Sequence, residues 1–384
     1  MLTHMNRRHW LKMGALLTGG LTIGNKWAPA HAAPRINSCT ATDLEMASTA
    51  PPTLKARLFA NENPFGPSDK VKAAIAACLG TCYQYPMQSG EELGKMLVAK
   101  EGITMDMMMP GGGSSPLLHA TAMYFAKDGG NVISADPSYD DVPQRAQSIG
   151  AQWIKVPLTA DYHLDLGAIE KAVNSQTKLV YICNPNNPTG TAVNTAALKD
   201  FCERVSKKCT VFVDEAYIDY LGNPQEHTML DCVKKGQNVI VARTLSKLYG
   251  FAGLRLGYIM APPDLLKKLE PYSTSFFTLS APAIHAAIAG LNDTEYLQSA
   301  LQKTEESKQH LYNTLKKEGY TYIPSKTNFV MFPLQMDGGR FAEEMWKRGV
   351  GLRDWKLNGR DWCRISIGRM DEMEAFAEAF KEIS

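Results

Sequence analysis

The sequence predicts an α/β fold: a large domain with a mainly parallel sheet flanked by helices, plus a smaller α+β domain. Three observations lead there. Between about residues 110 and 290, short apolar runs alternate with amphipathic stretches of helical period, the signature of strand–helix–strand units. The residues with chemistry to offer fall at the carboxyl ends of those runs, where open parallel sheets collect ligands. From Thr321 the pattern changes to strand, helix, strand.

Strands are expected at Asn131 to Ser134, Gln152 to Val156, Leu179 to Cys183, Thr210 to Asp214, Val239 to Arg243 and Leu256 to Met260. Helices are expected at Pro116 to Lys127, Leu166 to Ala172, Thr195 to Lys207 and Pro263 to Leu269. Residues 283–318 read as one long helix or two, with a break near Asn292. The second domain shows strands at Asn328 to Phe332 and Cys363 to Ile367, a helix at Gly339 to Arg348 and a closing helix from Asp371. The expected division is a targeting segment at 1–32, an arm and small-domain segment at 33–85, the large domain at 86–290 and the small C-terminal domain at 291–384.

The N-terminal segment reads as an address. Arg7-Arg8-His9-Trp10-Leu11-Lys12 is a twin-arginine pattern, followed by a mildly apolar Gly-rich run and a small-residue site at Ala30-His31-Ala32. This implies export through the twin-arginine machinery to the periplasm. Those residues hold four basic side chains and no acid, so the formal charge of +2 for the whole chain becomes −2 without them. That balance gives no sign of a nucleic-acid partner. No later run is long and apolar enough to span a membrane. Eight cysteines in 384 residues do not make a disulfide scaffold, and no ligand set completes a metal site.

The candidate site residues follow in chain order. Gly111-Gly112-Gly113-Ser114-Ser115-Pro116 precedes an apolar helix. Ser115 is a suitable N-cap and Pro116 a suitable first helical residue. The bare amides of that helix start form an anion site with the two serine hydroxyls; a capped flexible loop is the plainer reading. Asp136-Pro137-Ser138-Tyr139 puts Tyr139 at a strand end, where it could stack on a planar ligand. Asn184-Pro185-Asn186-Asn187-Pro188-Thr189-Gly190 is a tight turn with amides at its apex.

Asp214 ends the apolar run Val211-Phe212-Val213. A carboxylate there is costly to bury unless paired, and a protonated pyridine nitrogen is a fitting partner. Tyr217 stands three residues on. Next, Val239-Ile240-Val241-Ala242 delivers the chain into Thr244-Leu245-Ser246-Lys247, with Arg255 eight residues past the lysine. An amine beside two hydroxyls and a guanidinium is how an aldehyde cofactor bearing a phosphate would be held. Arg364 lies inside an apolar strand, and Arg353 precedes it. Such an arginine wants a carboxylate or phosphate; a substrate carboxylate or an internal salt bridge would serve.

Together these motifs resemble the fold-type I pyridoxal-phosphate aminotransferases of class I/II, and within them the histidinol-phosphate aminotransferase branch. Asn61-Glu62-Asn63-Pro64-Phe65-Gly66-Pro67-Ser68 and Tyr85-Pro86 carry the likeness to that branch. The resemblance implies pyridoxal 5'-phosphate as cofactor, and an L-amino acid and a 2-oxo acid as substrates. Lys247 would condense with the cofactor aldehyde and shuttle the proton. Asp214 would bind the ring nitrogen, Asn187 and Tyr217 the ring oxygen, and Ser114, Ser115, Thr244, Ser246 and Arg255 the phosphate. Tyr139 would stack on the ring; Arg364, with Arg353 and Asn63, would bind substrate. Tyr85 would reach the phosphate of a neighbouring subunit, implying a homodimer with shared sites. The chain departs from the branch at Ser115-Pro116, where an Asp-Glu pair is usual. Decarboxylation, racemisation or elimination on the same cofactor, or an exported binding protein without catalysis, are the competing readings.

Overall fold

The structure is a computed structural model that describes residues 54–273 and 278–383. The twin-arginine segment lies outside the described residues. Twelve strands are present among those described: β1 (Ala56–Arg57), β2 (Met108–Gly111), β3 (Asn131–Asp136), β4 (Gln152–Pro157), β5 (Thr177–Cys183), β6 (Thr210–Asp214), β7 (Val239–Thr244), β8 (Gly257–Met260), β9 (Phe329–Pro333), β10 (Val350–Gly351), β11 (Arg353–Leu357) and β12 (Arg360–Ser366).

Seven of them form one sheet in the order β2-β8-β7-β6-β5-β3-β4. The five from β7 to β4 pair in parallel, while β8 runs antiparallel to both its neighbours. The central strands are apolar on both sides because both sides are covered. Val180, Ile182, Val211, Val213 and Val241 pack into one core. Their alternates Leu179, Tyr181, Phe212, Ile240 and Ala242 pack into another. The fold class is therefore as the sequence predicts, and every expected strand of this sheet is present.

Four strands lie outside those expected: the two-residue β1 and β10, and the longer β2 and β11. β2 contains Pro110 and pairs at the edge of the sheet, where a missing N–H does least harm. β11 alternates charged and apolar residues, Arg353-Asp354-Trp355-Lys356-Leu357, and pairs antiparallel with β12, which also pairs with β9. This small sheet lies with its own apolar core, built on Phe332, Phe341, Phe376 and Phe380. The expected break near Asn292 separates helices Ala281–Leu291 and Thr294–Lys317.

The segment after β1 threads between the two sheets. β1 pairs in parallel with β10, Ser366 N donates to Leu58 O (2.9 Å), and Asn61 N donates to Ser366 Oγ (2.8 Å). The helix Asp69–Cys78 that follows is capped by Ser68, whose hydroxyl accepts from Val71 N.

A buried ion cluster ties the sheet together beneath the strand ends. Arg243 on β7 reaches Glu215 (3.1 Å) and Glu101 (3.3 Å) with all three side chains excluded from solvent. Tyr258 donates to Glu101, and Met229 N and Thr228 Oγ1 donate to Glu215. Replacing only the cation strands two carboxylates. Arg243→Met is expected to lower the unfolding free energy of the apoprotein by about 3–5 kcal/mol, measured by denaturant titration. Adding Glu215→Gln to that variant should recover part of the loss.

Candidate active site

β5, β6 and β7 bring their carboxyl ends level: Cys183 pairs with Asp214, and Asp214 with Ala242. The turn carrying Asn187, the Asp214 carboxylate and the Thr244–Lys247 turn therefore share one edge of the sheet.

Asp214 is buried, and burial raises its pKa to about 6 against the help of Tyr181, the Ala216 N–H and Lys247. Its oxygens are met separately. Tyr181 Oη donates to Oδ2 (2.8 Å) and Ala216 N to Oδ1 (3.1 Å). Tyr181 went unnoticed in the sequence because its meeting with Asp214 depends on strand register across β5 and β6.

Lys247 is half-buried. Its Nζ donates to Asn61 O (3.2 Å) and stands 5.4 Å from the Tyr217 ring centre. Burial, then the neighbouring Arg364, lower its pKa to about 8. The amine is thus partly neutral near physiological pH, which a proton-transferring lysine requires.

The anion cup forms around the first turn of helix Ser115–Ala126. Here the expectation needs a correction: Ser114, not Ser115, is the N-cap, and Pro116 is the second helical residue. Pro116 has no amide to lose, and the backbone N–H groups of Ser114 and Ser115 stand at the helix start. Arg255 Nη1 donates to Ser246 Oγ (3.2 Å), and Thr244 Oγ1 lies 3.0 Å from the same hydroxyl. Arg255 makes no ion pair with a carboxylate among the described residues. Two glycines make the cup possible. A side chain at Gly113 would collide with the Arg255 guanidinium, and one at Gly257 would meet Ser114 N at 2.6 Å.

Opposite the sheet edge, Arg364 on β12 is buried. Its Nη1 donates to Asn187 Oδ1 (2.7 Å) and its Nη2 to Phe59 O (3.0 Å), while Nε has no partner. Burial lowers its pKa to about 10. Arg353 stands directly across from it in the β11–β12 ladder, and both guanidiniums lie over Trp355, at 5.7 Å and 5.5 Å. Like charges facing each other across strands repel, and neither arginine forms an ion pair among the described residues.

Tyr217 is buried, with its hydroxyl accepting from Asn61 Nδ2 (3.1 Å) and its ring edge-on to Phe329. Tyr139 is half-buried beside the core of the same sheet face, and burial raises its phenol pKa. Asn63 does not stand open to a substrate. Its amide nitrogen donates to Leu248 O (2.6 Å) and lies 3.1 Å from Tyr296 Oη, and its oxygen accepts from Phe65 N. It braces the loop after Lys247, and Asn61, two residues earlier, is the one that touches the site. Tyr85 is 78% exposed and makes none of these contacts.

These donors fit pyridoxal 5'-phosphate. A cationic cup without a carboxylate suits the phosphate, Asp214 suits a ring nitrogen, and the perturbed lysine lies where an aldehyde must be met. No group of side chains among the described residues could hold a metal ion.

Comparison with known proteins agrees. The family model described as Aminotransferase class I and II matches residues 55–380. The histidinol-phosphate aminotransferase of Moorella thermoacetica is 34% identical over 333 residues, covering 85% of each chain. Histidinol-phosphate aminotransferase 1 of Cupriavidus pinatubonensis is 36% identical over 329 residues, covering 85% of this chain and 87% of its own. The solved histidinol-phosphate aminotransferase of Sinorhizobium meliloti, in complex with pyridoxal-5'-phosphate, superposes with a TM-score of 0.81 at 26% identity, covering 95% of this chain and 100% of its own.

The site predicts an unusual amine. In the apoprotein, acetic anhydride labelling of Lys247, followed by mass spectrometry, is expected to half-titrate near pH 8 rather than near the ordinary 10.5. Half-titration in the ordinary lysine range would contradict the charge environment described.

Proposed function

This chain belongs to the class I and II aminotransferases and uses pyridoxal 5'-phosphate; on that premise we propose that it transfers the amino group of an L-amino acid whose carboxylate is read by Arg364, with Arg353 beside it. The observation that carries this reading is the facing pair of arginines without an anionic partner among the described residues. A bound carboxylate would relieve their repulsion and satisfy the free Nε of Arg364. The Asn187 contact aims the guanidinium at the strand ends rather than at solvent.

When bound, the cofactor supplies an aldehyde that links to amines and a ring that accepts electron density from the substrate's α-carbon. The protein's residues do the rest. Ser114, Ser115, Thr244, Ser246 and Arg255 would hold the phosphate, and Tyr139 would lie against the ring. Asp214, ionised above a pKa of about 6, would hold the proton on the ring nitrogen. Asn187 and Tyr217 would flank the ring oxygen. Lys247, with its pKa near 8, would take the α-proton at Nζ and return it. Asn61 O offers the amine a resting partner.

Two further assignments are part of this reading. Tyr85, exposed together with Leu79, Tyr83 and Met87, suits contact with a second copy, so that a homodimer would place it at the partner's phosphate. Arg7-Arg8 and the segment behind it suit export to the periplasm after folding. The seven cysteines among the described residues are unpaired, as suits a protein folded before export. The large domain of 86–290 and the small domain of 291–384 would then bear the cofactor and the substrate arginines respectively.

A panel of L-amino acids with 2-oxoglutarate, run beside histidinol phosphate, tests the substrate class. Turnover of an amino acid is expected. Turnover of histidinol phosphate alone would contradict the carboxylate assignment. Arg364→Gln should lower kcat/KM for the preferred amino acid by about a hundredfold, the scale of a lost charge-assisted hydrogen-bond pair. Lys247→Ala should abolish turnover while leaving the circular dichroism spectrum unchanged.

A further inference from the structure

Behind the Tyr217 hydroxyl lies a closed pair of polar side chains from distant parts of the chain. Asn61 N donates to Ser366 Oγ (2.8 Å), and Ser366 Oγ donates back to Asn61 Oδ1 (3.0 Å). This ring fixes the amide, because its oxygen is taken up by the serine and only Nδ2 is left to face Tyr217 Oη (3.1 Å). Asn61, Ser366 and Tyr217 are all buried, at 2%, 3% and 4% exposure, so bulk water does not compete for these groups.

We propose that Asn61 and Ser366 set the direction of the Tyr217 hydroxyl, making it a donor to the ring oxygen of the bound cofactor. A phenol has one proton to give. With an amide N–H already pointing at its oxygen, that proton has no reason to turn back toward Asn61 and is directed outward. An acceptor in the place of Nδ2 would reverse the hydroxyl. Asn61 itself is held in the left-handed region, φ 53°, which asparagine tolerates better than most residues. Its carbonyl is pinned by Asn328 Nδ2 (3.1 Å) as well as by Lys247. Ser366 stands two residues beyond Arg364 on β12, so the strand that presents the substrate arginine also orients the phenol. Asn61 and Ser366 are positioning residues acting through Tyr217. The inference rests on the placement of the cofactor ring oxygen at Tyr217 made above.

The test compares binding of pyridoxal 5'-phosphate and its 3-deoxy analogue, which lacks the ring oxygen, to the apoprotein. The unaltered protein should prefer the parent compound. Asn61→Asp keeps the acceptor for Ser366 but removes the N–H, and Ser366→Ala frees the amide to turn. Each should erase about five- to tenfold of that preference, as Tyr217→Phe should, while Ser366→Ala should bind the analogue within about twofold of the unaltered protein. Ser366→Ala adds no charge and is therefore the decisive variant, because the carboxylate of Asn61→Asp would also repel an ionised ring oxygen. An unchanged ratio in both variants, or an equal loss of affinity for both ligands in Ser366→Ala, would overturn the proposal and leave the pair a structural brace. If the unaltered protein binds neither ligand, the functional reading fails and this proposal falls with it.

Discussion

A carboxylate at the end of the central strand survives burial here only because each of its oxygens is met by a donor. Tyr181 and the Ala216 N–H hold Asp214, and Lys247 adds a cationic neighbour. Desolvation still wins part of the contest, leaving the pKa at about 6, so the group is charged at neutral pH but cheap to neutralise. The neighbouring groups are tuned around that charge. The amine of Lys247 is pulled down toward neutrality by burial and by Arg364, which places a carboxylate, a labile amine and a cationic cup along one strand edge.

Two kinds of buried arginine separate scaffold from site. Arg243 is flanked by two carboxylates that balance its charge and stabilises the sheet. Arg364 has only a side-chain amide and a carbonyl, and the half-buried Arg353 faces it as a like charge. Burying a cation without a counter-charge costs several kcal/mol. Arg364 shows that cost as a lowered pKa. Such a cost is retained where an anion arrives from outside, which is the role proposed for Arg364.

Much of this was legible in the sequence, for a reason that can be stated. Residues at the carboxyl ends of parallel strands are forced together by topology, so Asp214, Asn187 and Lys247 could be grouped from the order of apolar runs alone. What depended on register was hidden. The pairing of Arg353 with Arg364 and of Tyr181 with Asp214 follows from which residue sits opposite which, and periodicity does not encode that. β11 escaped notice because its exposed face carries Asp354 and Lys356. In Asn61-Glu62-Asn63 the sequence offers two equivalent amides, and only the left-handed turn at Asn61 decides that Asn63 faces the lysine loop while Asn61 faces Tyr217. The helix cap moved by one residue, from Ser115 to Ser114, because proline is as acceptable one place further into the first turn.

The account depends on a single amine meeting the cofactor. Borohydride reduction of the purified holoprotein, followed by peptide mapping, tests this most directly. A pyridoxyl group on the peptide containing Lys247, and on no other, is the predicted result. An unlabelled Lys247, or a label on a different lysine, would contradict it.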